Sequence, residues 1–211
     1  TKAYSTQLAV VDLLALYIGG KLGTLSGAEY DALCAALQAL PDAMERILTP
    51  EYMQEIRRQA ERFCKHHDVF FIGRNLDSAT CLEGSLKLKE IAYVHAEAYA
   101  AGELKHGPIS LIEQDTLVVA VASVPELFEK TMSNIKEVKA RGANVLGLTT
   151  EDQREEIAKT VDEFFLVPRT HPLLQPSLNV VPLQAFAYYA ALARGCDVDK
   201  PRNLAKSVTV E

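Results

Sequence analysis

The order of apolar and polar positions changes character at residue 68. Before it, apolar residues recur at helical spacing. Leu8, Val11, Leu14, Ala15 and Ile18 share one face of a helix over residues 5–21, with Ser5 or Thr6 as N-cap and Gly19-Gly20 fraying its end. So apolar a helix must pack on something. Ser26 caps a second helix over about 28–40, Pro41 opens a short third one through Ile47, and Pro50 opens a fourth to about residue 65. The first quarter therefore reads as helical hairpins without a strand.

Beyond residue 68 the period shortens. Val69-Phe70-Phe71-Ile72-Gly73 is a continuous apolar run closed by glycine, as in a buried parallel strand. Similar runs lie at 116–123, 145–149 and 164–167, and a further strand is expected at 95–99. Helices are expected over about 80–93, 125–141 and 151–160. A last helix covers about 177–194, and Pro182 in its early turns argues for a later start. Strands alternating with helices imply right-handed crossovers and a parallel sheet covered on both faces. Residues 197–211 are polar and aperiodic.

Composition narrows the classes. With 48% hydrophobic and 24% charged residues in 211, the chain can bury a substantial core. A net charge of −6 argues against a nucleic-acid or anionic-membrane surface, though not against a small anion held by one or two local cations. Cys34, Cys64, Cys81 and Cys196 lack metal-ligand spacing and read as free thiols in a reducing compartment, and no metal is expected. The longest apolar runs, broken at Asp12 and Gln184, fall short of the roughly 20 residues a membrane span needs. No leader pattern opens the chain, so a cytoplasmic location is the expectation. The first residue, Thr1, reads as a processed end or a piece of a longer chain.

Candidate chemistry concentrates in residues 81–108. On a helix, Glu83, Lys87 and Glu90 fall on one stripe, because residues three and four apart are surface neighbours. Leu86, Ile91 and Val94 then turn toward a core. Lys105 and His106 precede a Gly107-Pro108 turn. Brought together, a carboxylate, two lysines and a histidine form an acid/base site. By spacing alone, Lys87 and Glu90 equally read as a surface pair worth roughly 0.2–0.5 kcal/mol. Residues 73–80 follow the first strand, where open α/β sheets hold ligands. Backbone N–H groups with Ser78 or Thr80 suit an anion there, whereas Asp77 would repel a phosphate, and a plain capped turn is the alternative.

The segments GSLKLKEIAYVHAEAYAAGELKHGP (84–108) and PRNLAKSVTVE (201–211) resemble the isomerase half of the glutamine:fructose-6-phosphate aminotransferase family, and the resemblance extends along the whole chain. It implies an α/β fold: a sugar isomerase (SIS) domain, a three-layer α/β/α sandwich with a parallel five-stranded sheet, preceded by helical hairpins. Residues 1–49 would be the end of a first SIS domain, 50–196 the second, and 197–211 an active-site tail. In that family Glu90 aligns with the base that moves a proton between C1 and C2 of the fructose imine, with Lys87 beside it. His106 aligns with the ring-opening histidine, which in a homodimer reaches the neighbouring subunit's site. Lys206 and Ala205 align with tail residues at the open-chain sugar, and Arg202 with a tail arginine in the substrate-binding set that anchors this lid. The implied reaction takes fructose 6-phosphate and glutamine-derived ammonia to glucosamine 6-phosphate, without metal or organic cofactor. The first domain's phosphate-holding loop is not among these residues, so the piece alone is expected to be inactive. A non-catalytic phosphosugar-binding or dimerisation module and a stand-alone phosphosugar isomerase are the alternatives.

Overall fold

The computed structural model describes residues 2–202. Three helices come first: α1 (Lys2–Leu22), α2 (Gly27–Ile47) and α3 (Pro50–Phe63). Ser26 closes a capping box with Glu29 at the start of α2, and Thr49 caps α3 ahead of Pro50. The expected break at Pro41 is absent, and α2 runs through it as one helix. Leu40 and Ile47, on either side of Pro41, are both buried in the core that α7 also lines, so tertiary packing offsets the lost hydrogen bond.

The rest alternates: β1 (Asp68–Gly73), α4 (Leu76–Ala92), β2 (His95–Ala100), β3 (Leu117–Val121), α5 (Phe128–Lys139), β4 (Asn144–Thr150), α6 (Arg154–Ala158), β5 (Glu163–Val167) and α7 (Gln175–Ala193). All strands are parallel, in the order β2-β1-β3-β4-β5. Alternate side chains enter opposite layers, as a pleat requires. Val69, Phe71, Val119 and Leu148 join the core with α3, α4 and α7; Phe70, Ile72, Val118 and Val145 join the core with α5 and α6. The expected α/β/α sandwich is thus observed, with a five-stranded parallel sheet.

Boundaries moved where packing outweighed local pattern. Helix α4 starts at Leu76, four residues ahead of the expected position, and α5 and α6 are shorter than expected because short 3-10 turns precede them. Pro182 lies buried inside α7, which starts earlier than expected at Gln175.

Helix α1 continues through Asp12, where the sequence reading broke the apolar run; one Asp in a helix interior costs at most about 0.7 kcal/mol. By length and composition alone Ala3–Leu22 could cross a membrane, with a mean hydropathy of 1.2. Only Leu16 of its large apolar residues is buried, while Val10, Val11, Leu13, Leu14, Tyr17 and Ile18 are exposed.

Candidate active site

Helix α4 carries the charged stripe and is wedged between the sheet and α7. Gly84 permits this approach, since a Cβ there would sit 2.9 Å from both Leu183 Cδ1 and Phe71 Cε1. The neighbouring stripe is therefore held on a closely packed element. Lys87 Nζ donates to Glu90 Oε2 in a close ion pair and stands 3.7 Å from Glu83 Oε1. Side-chain exposure is 8% for Glu83, 13% for Lys87 and 28% for Glu90. An i, i+3 surface pair would be far more open; this is a half-buried carboxylate–ammonium–carboxylate row.

Burial pushes the Glu83 carboxyl up from its ordinary value; the Lys87 charge opposes this and the Glu90 charge adds to it. Glu83 Oε1 is buried without a hydrogen-bond partner among the described residues. Tyr4 of α1 borders this end of the row: burial raises its hydroxyl, and the Glu83 charge raises it further. The stripe itself was legible in the sequence. The spacing did not show that Glu83 is the most buried of its members.

The other expected participants lie apart. Lys105 pairs with Glu137 of α5, Nζ to Oε1 2.8 Å, so it does not join Lys87, because the 3-10 turn over 103–106 points it toward the opposite layer. His106 ends that turn before Gly107, whose φ is +146°, and its side chain is 74% exposed. Its charged neighbour is Glu103 at 4.0 Å, and among the described residues no hydrogen bond or ion pair links it to Lys87 or Glu90. Arg202 lies over the ring of Tyr93, at the end of α4. Ala205 and Lys206 fall outside the described residues.

A second polar cluster occupies the crevice beyond β1 and β3, where the strand order reverses. Here Asp77 is 1% exposed and accepts from Ser123 N–H (2.7 Å), Ser123 Oγ (2.5 Å), Val124 N–H (3.2 Å) and Asn179 Nδ2 (3.2 Å). Asn75, at the turn into α4, has a φ of +54°. The crevice outside, about 140 Å³, is lined by Asn75, Ser123, Arg169 and Gln175 among others. Arg169 is taken by Asp152 at 2.6 Å and by Thr150 at 2.9 Å. Ser123, Val124 and Asn179 thus donate to the protein's own carboxylate, and the Thr80 hydroxyl donates to the Leu76 carbonyl. Residues 73–80 form the turn into α4, which has no side-chain cap at Asn75, and Asp77 is an internal anion held by Ser123, Val124 and Asn179. Sequence reading placed Asp77 correctly in the crevice but could not supply its partners from β3 and α7.

The sequence pattern of the SIS domain family matches residues 63–194. The parallel sheet of this topology between helical layers defines the class, and the chain belongs to the SIS domain family. Across its full length it is 58% identical to the glutamine–fructose-6-phosphate aminotransferase (isomerizing) of Symbiobacterium thermophilum and, over 212 aligned residues, 52% identical to that of Clostridium tetani. It spans 34% of the length of each of these curated relatives. Its structure is similar to the C-terminal domain of glucosamine-fructose-6-phosphate aminotransferase from Francisella tularensis, with a TM-score of 0.90 and 34% identity over 95% of this chain and 56% of that one. A glucosamine-6-phosphate deaminase from Thermotoga maritima shares the fold at a TM-score of 0.64 and 24% identity.

Proposed function

We propose that this chain is the isomerase portion of a glucosamine-6-phosphate synthase, acting on the fructose 6-phosphate imine formed with glutamine-derived ammonia. The observation that carries the reading is the half-buried row Glu83–Lys87–Glu90, which puts a carboxylate against an ammonium on a rigid helix. Similarity along the entire chain to aminotransferases of that name supports it.

In this mechanism Glu90 removes a proton from C1 of the imine and returns it at C2, while the C1 hydroxyl proton passes to the imine nitrogen, leaving an aldehyde at C1 and an amine at C2. Lys87 holds the carboxylate in place and supplies positive charge beside the enolamine-like transition state. His106 assists ring opening from a neighbouring subunit of a homodimer, and its exposure on a turn suits delivery to another chain. Lys206 and Ala205 of the tail contact the open-chain sugar, and Arg202 anchors that tail. Residues 1–49 belong to a preceding SIS domain, whose remainder packs on the exposed apolar side of α1 and supplies the sugar-phosphate site. Residues 50–196 form the second SIS domain. This assignment makes the full protein cytoplasmic and free of the membrane.

The test is Glu90→Gln in the full-length protein. Formation of glucosamine 6-phosphate from fructose 6-phosphate and glutamine should fall by at least about 100-fold, the contribution of a positioned base. Unchanged turnover overturns the assignment of Glu90.

A further inference from the structure

After α7 the chain is secured step by step. Gly195 turns it with a φ of +71°, and Val198 packs against the α7-side core. The Asp197 carboxylate accepts from the backbone N–H groups of Asp199 (3.0 Å) and Lys200 (3.2 Å), an Asx-type turn, and Pro201 is buried. Arg202 then meets Tyr93 twice. Its backbone N–H donates to the Tyr93 hydroxyl at 3.0 Å, and its guanidinium carbon lies 3.7 Å from the ring centroid.

Tyr93 ends α4 in the left-handed conformation, at φ +55° and ψ +36°. Glycine or asparagine would close a helix there with less strain. A bulky ring in that conformation persists only where its surroundings hold it. The contacts with Arg202 give the ring a use that offsets the strain.

We propose that Tyr93 is a positioning residue: it clamps Arg202 and so fixes where the C-terminal segment leaves the domain, at the end of the helix that bears Lys87 and Glu90. The inference rests on the function proposed above. Glu90 precedes Tyr93 by three residues, about 4.5 Å along a helix, and Lys87 by six, about 9 Å. Lys206 follows Arg202 by four residues, a covalent reach of at most about 14 Å. An anchor at Tyr93 thus adds to the hold of Val198 and Pro201 and fixes the point from which the four residues to Lys206 run.

The experiment uses the full-length protein with four substitutions: Tyr93→Ala, Tyr93→Phe, Arg202→Ala and the pair Tyr93→Ala/Arg202→Ala. Tyr93→Ala should lower kcat for glucosamine 6-phosphate formation about tenfold, with the KM for fructose 6-phosphate changed less than about threefold. Tyr93→Phe keeps the ring face and should recover most of that loss. The paired substitution should cost no more than either alone, the mark of one shared contact. Tryptic cleavage after Arg202, followed by mass, should accelerate about tenfold in Tyr93→Ala and little in Tyr93→Phe. Arg202→Ala, at an exposed position, leaves the fold intact and decides the matter should Tyr93→Ala fail to fold. A kcat within about twofold of the parent in Arg202→Ala overturns the proposal, as does unchanged cleavage in a folded Tyr93→Ala. Glu90→Gln separates the two readings. If it abolishes turnover while the clamp variants do not lower kcat, only the clamp falls; if it leaves turnover intact, the site assignment falls.

Discussion

Helix α4 carries two buried carboxylates less than two turns apart, Asp77 and Glu83, and they are treated in opposite ways. Asp77 is met by four donors from β3's end and α7. Glu83 has an ammonium at 3.7 Å and one buried oxygen without a hydrogen-bond partner among the described residues. Burial raises both acids, and at Asp77 the hydrogen bonds from Ser123, Val124 and Asn179 oppose it in part. A fully satisfied carboxylate stabilises and positions structure, since each partner would be orphaned by its loss. An under-satisfied one beside a lysine is the kind of group that active sites concentrate. The comparison assigns Asp77 to architecture, and the unpaired oxygen of Glu83 accords with the reaction proposed above for the helical row.

The contrast is testable in order of expected effect. Asp77→Ala strips the partner from three buried donor groups and should destabilise the protein by about 3–5 kcal/mol, read from urea unfolding midpoints. A loss under about 1 kcal/mol would mean that the crevice network is not structural. Glu83→Gln should act mainly through pH. The Glu83 pKa is raised in the folded state, so the native protein binds more protons than the unfolded chain above the ordinary glutamate value of about 4.3. Its contribution to stability therefore falls as pH rises from there through the raised value. Midpoints of parent and Glu83→Gln, measured between about pH 4 and 8, should diverge in favour of the variant as pH rises. Parallel curves would remove the burial argument. Lys105→Ala breaks an ion pair that is more than half exposed at the lysine and should change stability by less than about 0.5 kcal/mol. A larger loss would tie Lys105 to more than Glu137.

Much of this was legible beforehand, for identifiable reasons. The runs 69–73 and 116–123 are continuous and apolar because their strands are covered on both faces, and their short length favours strand over helix. The row on α4 followed from three- and four-residue spacing. What was missed depended on partners distant in sequence. Pro41 looks like a helix start to any local rule, and only burial of Leu40 and Ile47 in the shared core keeps α2 whole. Lys105 and Lys87 appeared to be companions, yet the turn after β2 sends Lys105 to α5.

The sequence by itself determined the alternation of buried strands and helices, the charged stripe and the two long segments that carry the family resemblance, because these reside in local periodicity and in residue order. Only the tertiary structure decided which carboxylate is satisfied, which is left partly unpaired, and that Arg202 lies on Tyr93. Those outcomes depend on burial and on hydrogen-bond partners up to 109 residues away, and neither is written in any single stretch of the chain.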